Sequence, residues 1–275
     1  MVASDRREHR FQNRGTTVAY RTIGDGGPVF VFLHGFPDFW ESLMPLAERI
    51  NPTGTSVFLD LRGYNAAGQP DEPGAYGIVA VASDAAALAR ALGHRDMIFV
   101  GHDWGGAVAW WLWMQGAAGY RGYVSISAPH PSALLAGMQD DGQWQASAYA
   151  RAIAADGGRT GFDRMQLAQW CEDPSHRARL VAALERSSAF AMASYYARNY
   201  PNARDARLDG LPAGRTPFLL VYGATDPYMM ADTFERSRAL GGDRVSVAAV
   251  EGGHFVHFSQ TAAVSESIKR WLDHV

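Results

Sequence analysis

The sequence predicts an α/β protein: a mostly parallel, doubly wound sheet interrupted by an inserted helical segment. Three observations predict it. Short apolar runs rich in β-branched and aromatic residues recur along the chain, without the clean alternation of a half-solvated strand. Segments with helical spacing separate them, which is the order of βα units. From about Pro131 to Arg215 the alternation stops, and only helical patterns are found.

In chain order, "HRFQNRGTTVAYRTIG" (9–24) reads as an antiparallel hairpin on the sheet edge. The turn "GDGG" (24–27) lacks the lysine and following helix of a phosphate loop. "VFVFL" (29–33) and "SVFLD" (56–60) read as buried strands, and "VAVASDAAALARAL" (79–92) as a helix. The strand "MIFVG" (97–101) leads directly into the helix "WGGAVAWWLWM" (104–114). The apolar stretch of that helix is far shorter than the ~20 residues a bilayer span needs, so it reads as buried. "GYVSIS" (122–127) is the next strand. Helical spacing then covers "QWQASAYARAIAADG" (143–157) and "PSHRARLVAALERSSAFAMASYYARNY" (174–200), with Pro174 suited to a helix start. "PFLLVYG" (217–223) and "RVSVAAV" (244–250) complete the sheet, and "SQTAAVSESIKRWLDHV" (259–275) is the closing helix. The expected division is an N-terminal core part (1–130), a helical cap (131–215) and a C-terminal core part (216–275).

Composition narrows the function. At 275 residues and 47% hydrophobic, the chain can bury a large core. A net charge of -3 with scattered basic residues gives no reason to expect nucleic acid. The single cysteine, Cys171, forms no intrachain disulfide, and the polar N-terminus has no apolar signal region. The expectation is a cytoplasmic protein with no membrane partner, acting on a small molecule as a monomer or homodimer. No group of His, Cys and carboxylates stands at ligand spacing, so neither metal nor organic cofactor is expected.

The chemistry centres on "GHDWG" (101–105). A strand, a tight turn and a helix form the context of a nucleophile elbow, with glycines that permit close packing. Asp103 occupies the nucleophile's position. The helix N-terminus behind it favours an anion, so the carboxylate is ready to attack. The plainer alternative is an Asp that merely caps the helix. A carboxylate suits displacement at a saturated carbon. It forms an alkyl ester, which water must then cleave with help from a base, an orienting acid and an oxyanion hole. The order nucleophile, acid, histidine is met by Asp226 in "LLVYGATDPYM" and His254 in "EGGHFVHFSQ". His254 would activate water and Asp226 would hold its ring. His257 is read as structural, His34 as bracing its loop, and Asp232 as a solvated helix residue. The other position at which an acid can occur, "SISAPHP" (125–131), holds no carboxylate. Backbone amides of Trp104 and of Phe36, in "HGFP" (34–37), would form the oxyanion hole; Pro37 offers none and suits a cis peptide that fixes the loop.

Together, "HGFP", "DLRGYN" (60–65), "GHDWGG" (101–106), "APHP" (128–131), "YGATDPY" (222–228) and "GGHFVHF" (252–258) resemble the epoxide hydrolases of the α/β-hydrolase fold. The resemblance implies that fold, a catalytic Asp103–His254–Asp226 triad, and two cap tyrosines that hydrogen-bond and protonate the epoxide oxygen. The matching positions are Tyr149 in "SAY" (147–149) and Tyr196 in "SYYARN" (194–199), while Tyr195 points to another helical face. Ala148, Ser194, Ala197 and Ala67 depart from the family's pattern, which bears on the substrate rather than on the core machinery. The substrate-binding residues expected are Phe36, Trp104, Tyr149 and Tyr196, with Trp40, Trp110, Trp111, Trp144 and Met192 as further candidates for an apolar pocket. Haloalkane and haloacetate dehalogenases share the Asp nucleophile and are the alternative reading, since the Trp104 indole N–H could stabilise a halide. A ring-opening or cyclising enzyme of a pathway, or a non-catalytic ligand-binding module, ranks below both.

Overall fold

A computed structural model describes residues 7–94, 96–116, 120–204, 206 and 211–275. The first six residues of the polar N-terminus lie outside it. The chain begins with a hairpin of β1 (Glu8–Asn13) and β2 (Thr16–Ile23), followed by β3 (Val29–Leu33), α1 (Met44–Ile50), β4 (Thr55–Asp60) and α2 (Ile78–Leu92). Then come β5 (Met97–His102), α3 (Trp104–Met114) and β6 (Tyr120–Ile126). The insertion carries α4 (Pro131–Gly137), α5 (Asp141–Ala146), α6 (Ala148–Asp156), α7 (Arg164–Leu167), α8 (Pro174–Glu185) and α9 (Ala189–Asn199). The core resumes with β7 (Phe218–Gly223), α10 (Ala231–Gly241), β8 (Val245–Val250), α11 (Val256–Ser259) and α12 (Thr261–Leu272).

The eight strands form one sheet in the order β1-β2-β4-β3-β5-β6-β7-β8. β2 pairs antiparallel with both β1 and β4, and every later pairing is parallel. The edge hairpin and each expected strand are therefore present. Every residue of β3, β4, β5 and β7 is buried, which explains their unbroken apolar runs: helices cover both faces, α1 packing with α12 and α2 with α3. Parallel strands bring their C-terminal ends to one edge. Residues 34–37 follow β3, Asp103 follows β5, Asp226 lies beyond β7, and His254 lies beyond β8. Four distant segments thus meet at a single rim.

Two helical readings are interrupted. The segment 143–157 breaks at Ser147, whose buried hydroxyl accepts from Gln143 Nε2 (2.9 Å) and bonds the Tyr200 hydroxyl (2.9 Å). The segment 174–200 breaks at Arg186–Ser188. There Ser187 Oγ accepts the Asn65 amide (2.9 Å), and Ser188 Oγ caps α9 through the Ala191 amide (3.1 Å). Serine hydroxyls compete with helical carbonyls for such local bonds, and these serines serve contacts to the core that sequence spacing does not display. Among the described residues the insertion contains no strand. Trp170 Nε1 ties it to the Pro37 carbonyl (3.0 Å), the Tyr195 hydroxyl to the Arg62 carbonyl (2.8 Å), and Asn199 Oδ1 to the Ile78 amide (2.7 Å).

Candidate active site

Asp103 sits at φ 51° and ψ −115°, a backbone conformation that L residues rarely adopt. The glycines beside it make this possible. A Cβ at Gly101 would overlap the Gly105 carbonyl, and one at Gly105 would overlap the Leu33 carbonyl. Strand β5, helix α3 and strand β3 can approach this closely only without those side chains. The strained turn lifts the carboxylate off the sheet, and the Asp103 amide is held by the Ile126 carbonyl (3.0 Å). Although Asp103 occupies the N-cap position of α3, its side chain makes no capping bond. Its Oδ1 instead accepts the Phe36 amide (2.7 Å). A residue serving only as a cap would look the other way.

Facing it is His254, whose Nε2 lies 3.5 Å from Asp103 Oδ2. On the far side of the ring, Nδ1 lies 2.7 Å from Asp226 Oδ2. The Asp226 side chain is fully buried, and its Oδ1 accepts the amides of Tyr228 (2.8 Å) and Met229 (3.2 Å). These bonds fix the acid, and the acid fixes the imidazole. Burial opposes a charge on His254, but Asp226 and Asp103 outweigh it and lift its pKa to about 10. The three residues read from the sequence are brought together in one line.

The loop of residues 34–37 curls over the same carboxylate. The Phe36–Pro37 peptide is cis. His34 braces this loop as expected: its Nδ1 lies 3.0 Å from the Gly35 carbonyl, and its Nε2 accepts the Leu61 amide (3.1 Å). Trp104 is the first residue of α3, where a helix leaves its amide without an intrahelical acceptor. The Phe36 and Trp104 amides therefore stand on the two segments that flank Asp103.

Above them lie aromatic rings of the insertion. The Tyr196 ring packs edge-on against Trp104 (5.1 Å between centroids) and Phe36 (5.4 Å). Tyr149 packs against Tyr196 (5.9 Å) and Tyr228 (4.8 Å), and Tyr228 against His254 (5.2 Å). Both phenols are pushed well above their ordinary value, first by burial and then by neighbouring tyrosines and Asp103. Sequence reading missed Tyr200, four residues beyond Tyr196. Its ring lies 5.9 Å from Tyr196 and 6.4 Å from Trp104, and its hydroxyl is tied to Ser147. The i,i+4 spacing on one helix face was the available signal.

Beside Asp103 opens an apolar cavity of about 220 Å³, bounded by Trp104, Trp111, Met114, Leu134, Tyr196 and Tyr200 among others. The expected pocket is only partly recovered. Trp111, Trp104 and Tyr196 line this cavity, whereas Phe36 and Tyr149 pack against the Tyr196 ring without being among its lining residues. Trp40 packs on Phe58 and Arg21, Trp110 stacks on Phe218, and Met192 is buried in the core. Trp144 lies against Arg151 and Arg204. An aromatic residue's place on a helix does not reveal which neighbour covers it, so the core claimed most of them.

A second ionisable group lies behind the triad. Asp38, His102 and His257 are buried, with ligand-capable atoms within 4.8 Å of one another. His257 Nε2 is 3.0 Å from Asp38 Oδ2, and His102 Nε2 lies 3.1 Å from the His254 carbonyl oxygen. Burial lowers the His102 pKa to about 4. Burial opposes charge on Asp38, but the imidazoles of His102 (3.6 Å) and His257 beside it hold it far below the usual carboxylate range. Among the described residues this is the one cluster whose donors could surround a metal ion, and it reads as a carboxylate shared by two imidazoles. Local spacing could not show it, because three distant segments supply it. Asp232 is exposed on α10, as expected.

The profile of the Alpha/beta hydrolase family matches residues 30–267. The chain is 32% identical to mouse "Epoxide hydrolase 4" over 124 residues, which are 45% of this chain and 34% of that protein. It is 34% identical to the "AB hydrolase superfamily protein YfhM" of Bacillus subtilis over 122 residues, 44% of this chain and 43% of that one. The match thus spans less than half of either relative. Among solved structures, an epoxide hydrolase of Bacillus megaterium in complex with an inhibitor superposes with a TM-score of 0.86 at 21% identity, covering 96% of this chain and 100% of that one. At that identity the likeness speaks for the fold. No helix among the described residues is long and apolar enough to cross a membrane.

Proposed function

The chain belongs to the alpha/beta hydrolase family and has its fold, and from that premise we propose that it is an epoxide hydrolase, converting a small-molecule epoxide to a vicinal diol through a covalent ester on Asp103. The observation that carries this reading is the placement of Tyr196 against Trp104 and Phe36, the residues flanking the Asp103 carboxylate. The inserted helices then act as a cap. Phenols held above their ordinary pKa stay protonated at neutral pH. They can donate to an epoxide oxygen and then surrender a proton to the alkoxide that ring opening creates.

The geometry supports a division of labour between the carboxylate oxygens. Oδ1 is engaged by the Phe36 amide, so Oδ2 attacks a ring carbon, and the carbon–oxygen bond of the epoxide breaks. Its electron pair goes to the departing oxygen, which takes a proton from Tyr196 or Tyr149. Ester formation removes the Asp103 charge, one of the two that hold His254 protonated. His254 can then release its proton, replenish the phenol through solvent, and accept a proton from water. That water attacks Cγ of Asp103. The negative charge gathers on Oδ1, beside the Phe36 and Trp104 amides, and the diol departs with the former Oδ2. A single turnover in H2(18)O therefore places the label in Asp103 and leaves the first diol unlabelled; label in that diol would mean direct attack by water.

A second reading, dehalogenation, draws on one observation. Trp104 Nε1 is buried without a hydrogen-bond partner among the described residues, and such a donor suits a halide. Halide release from organohalides, with no diol from epoxides, would favour it.

A further inference from the structure

On the epoxide reading above, we propose that Tyr200 is a third phenol of the site, one that donates a hydrogen bond to the departing epoxide oxygen. The direction of one hydrogen bond points to it. Gln143 is buried, and its amide can face only one way: Oε1 accepts the Met230 amide (2.9 Å) and Thr233 Oγ1 (3.0 Å), so Nε2 donates to the Tyr228 carbonyl (3.0 Å) and to Ser147 Oγ (2.9 Å). Ser147 Oγ is thus an acceptor toward Gln143 and has one hydrogen of its own to place. Among the described residues, its other side-chain partner is the Tyr200 hydroxyl at 2.9 Å. Ser147 is fully buried, where a hydrogen left unpaired costs the whole desolvation of the donor. Tyr200 is half-buried and borders the cavity, where a ligand or water can take its hydrogen. Ser147 therefore donates to the Tyr200 oxygen, which leaves the phenol hydrogen for the cavity.

The cavity wall holds two further donors, the Ser127 hydroxyl and the Trp104 indole N–H, both buried and without a hydrogen-bond partner among the described residues. They stand on the wrong side for the departing oxygen. Trp104 follows Asp103 in the chain, and Ser127 follows Ile126, whose carbonyl holds the Asp103 amide. Both belong to the floor that carries the nucleophile. Displacement from behind puts the departing oxygen on the side of the carbon away from the attacking Oδ2, toward the inserted helices. Of the tyrosines there, Tyr196 and Tyr200 border the cavity together with Asp103. One residue past the end of α9, Tyr200 keeps its amide bonded to the Tyr196 carbonyl (3.1 Å), and the two rings lie 5.9 Å apart on one side of the helix. Burial raises the Tyr200 pKa and nearby Asp103 adds to it, so the phenol is protonated at neutral pH. Tyr200 then stabilises the alkoxide as the ring opens and keeps its own proton, while Tyr196 or Tyr149 supplies the proton that is transferred.

Calorimetric binding of phenyloxirane and phenylcyclopropane to Asp103→Asn tests this, because the two compounds differ by one ring oxygen. Their affinity ratio reads the donors to that oxygen, since any loosening of the site acts on both. Adding Tyr200→Phe should shrink the ratio about fivefold, as suits the loss of one neutral hydrogen bond. Adding Ser147→Ala instead breaks the same bond but keeps the phenol, and the ratio should stay within about twofold. A ratio unmoved by Tyr200→Phe, or reduced equally by Ser147→Ala, overturns the proposal; in the second case Tyr200 only braces the helices. Turnover with Asp103 in place separates this from the broader reading. Tyr200→Phe should slow ester formation about tenfold or more and leave ester hydrolysis unchanged. Ester and diol formed at the parent's rates sink only the Tyr200 assignment. No ester and no diol from the parent sinks the epoxide reading, and this proposal with it.

Discussion

Tyr195 and Tyr196 lie about 100° apart around α9, and their phenols serve different ends. The Tyr195 hydroxyl donates to the Arg62 carbonyl and so pins the insertion to the core, whereas Tyr196 packs against Trp104 and Phe36 beside Asp103. Tyr195→Phe should cost about 1 kcal/mol in stability and leave kcat within twofold, because one buried bond is lost. Tyr196→Phe should lower kcat on epoxides about a hundredfold or more while melting like the parent, since it removes the proposed general acid. Denaturation and kinetics on the two variants check both; equal losses in kcat would undo the distinction. His254 supplies a prediction in pH. Its folded pKa, about 10, exceeds the unfolded value of 6.5. Its contribution to stability is therefore complete below about 6.5 and is lost as pH rises toward 10. The parent should lose Tm faster than His254→Gln across that window, and parallel curves would contradict the raised pKa. At this scale the meeting of Asp103, His254 and Asp226 was legible because a strand–turn–helix pattern fixes where Asp103 points and chain order supplies its neighbours. Tyr200 and the Asp38–His102–His257 group were not legible, since their roles arise only from contacts between distant segments.

Among the elements, the elbow is the least tolerant. A methyl at Gly101 would force β5 away from α3 at the Gly105 carbonyl. Gly101→Ala should cost roughly 2–4 kcal/mol by overpacking and lower activity further by moving Asp103. A fully active variant of unchanged urea midpoint would show that the turn relaxes more easily than its packing implies. The break between α5 and α6 is the counterpart in the insertion. Gln143, buried, donates to Ser147 Oγ and the Tyr228 carbonyl and accepts from the Met230 amide and Thr233 Oγ1. It joins the helix that carries Tyr149 to the loop that carries Asp226. Gln143→Ala should leave several buried groups unpaired, destabilise by about 2 kcal/mol, and raise KM as Tyr149 loses its support; an unchanged KM would mean that α6 is held elsewhere. Strands were readable at nearly every position because their apolar runs are short and rich in β-branched and aromatic residues. Helix breaks in the insertion were not, because Ser147 and Ser188 act through partners that periodicity does not reveal.

Across the whole molecule, the sheet gathers four loops at one rim while the inserted helices pack over it, so on the proposed function chemistry and substrate selection reside on different segments. This separation explains why the arrangement around Asp103 could be read from sequence and the lining of the cavity could not. Gly101, Asp103 and Gly105 answer to local backbone geometry. Trp40, Trp110 and Met192 answer to packing, and they went to the core. The claim on which the rest depends is that Asp103 is a covalent nucleophile whose ester His254 helps to hydrolyse. Intact-protein mass spectrometry of His254→Ala, incubated with a panel of epoxides, tests it most directly. The account predicts a protein heavier by the full mass of an epoxide, with the adduct on Asp103 and absent from Asp103→Asn. Rapid diol formation by His254→Ala without any adduct, or an adduct on another residue, would contradict it.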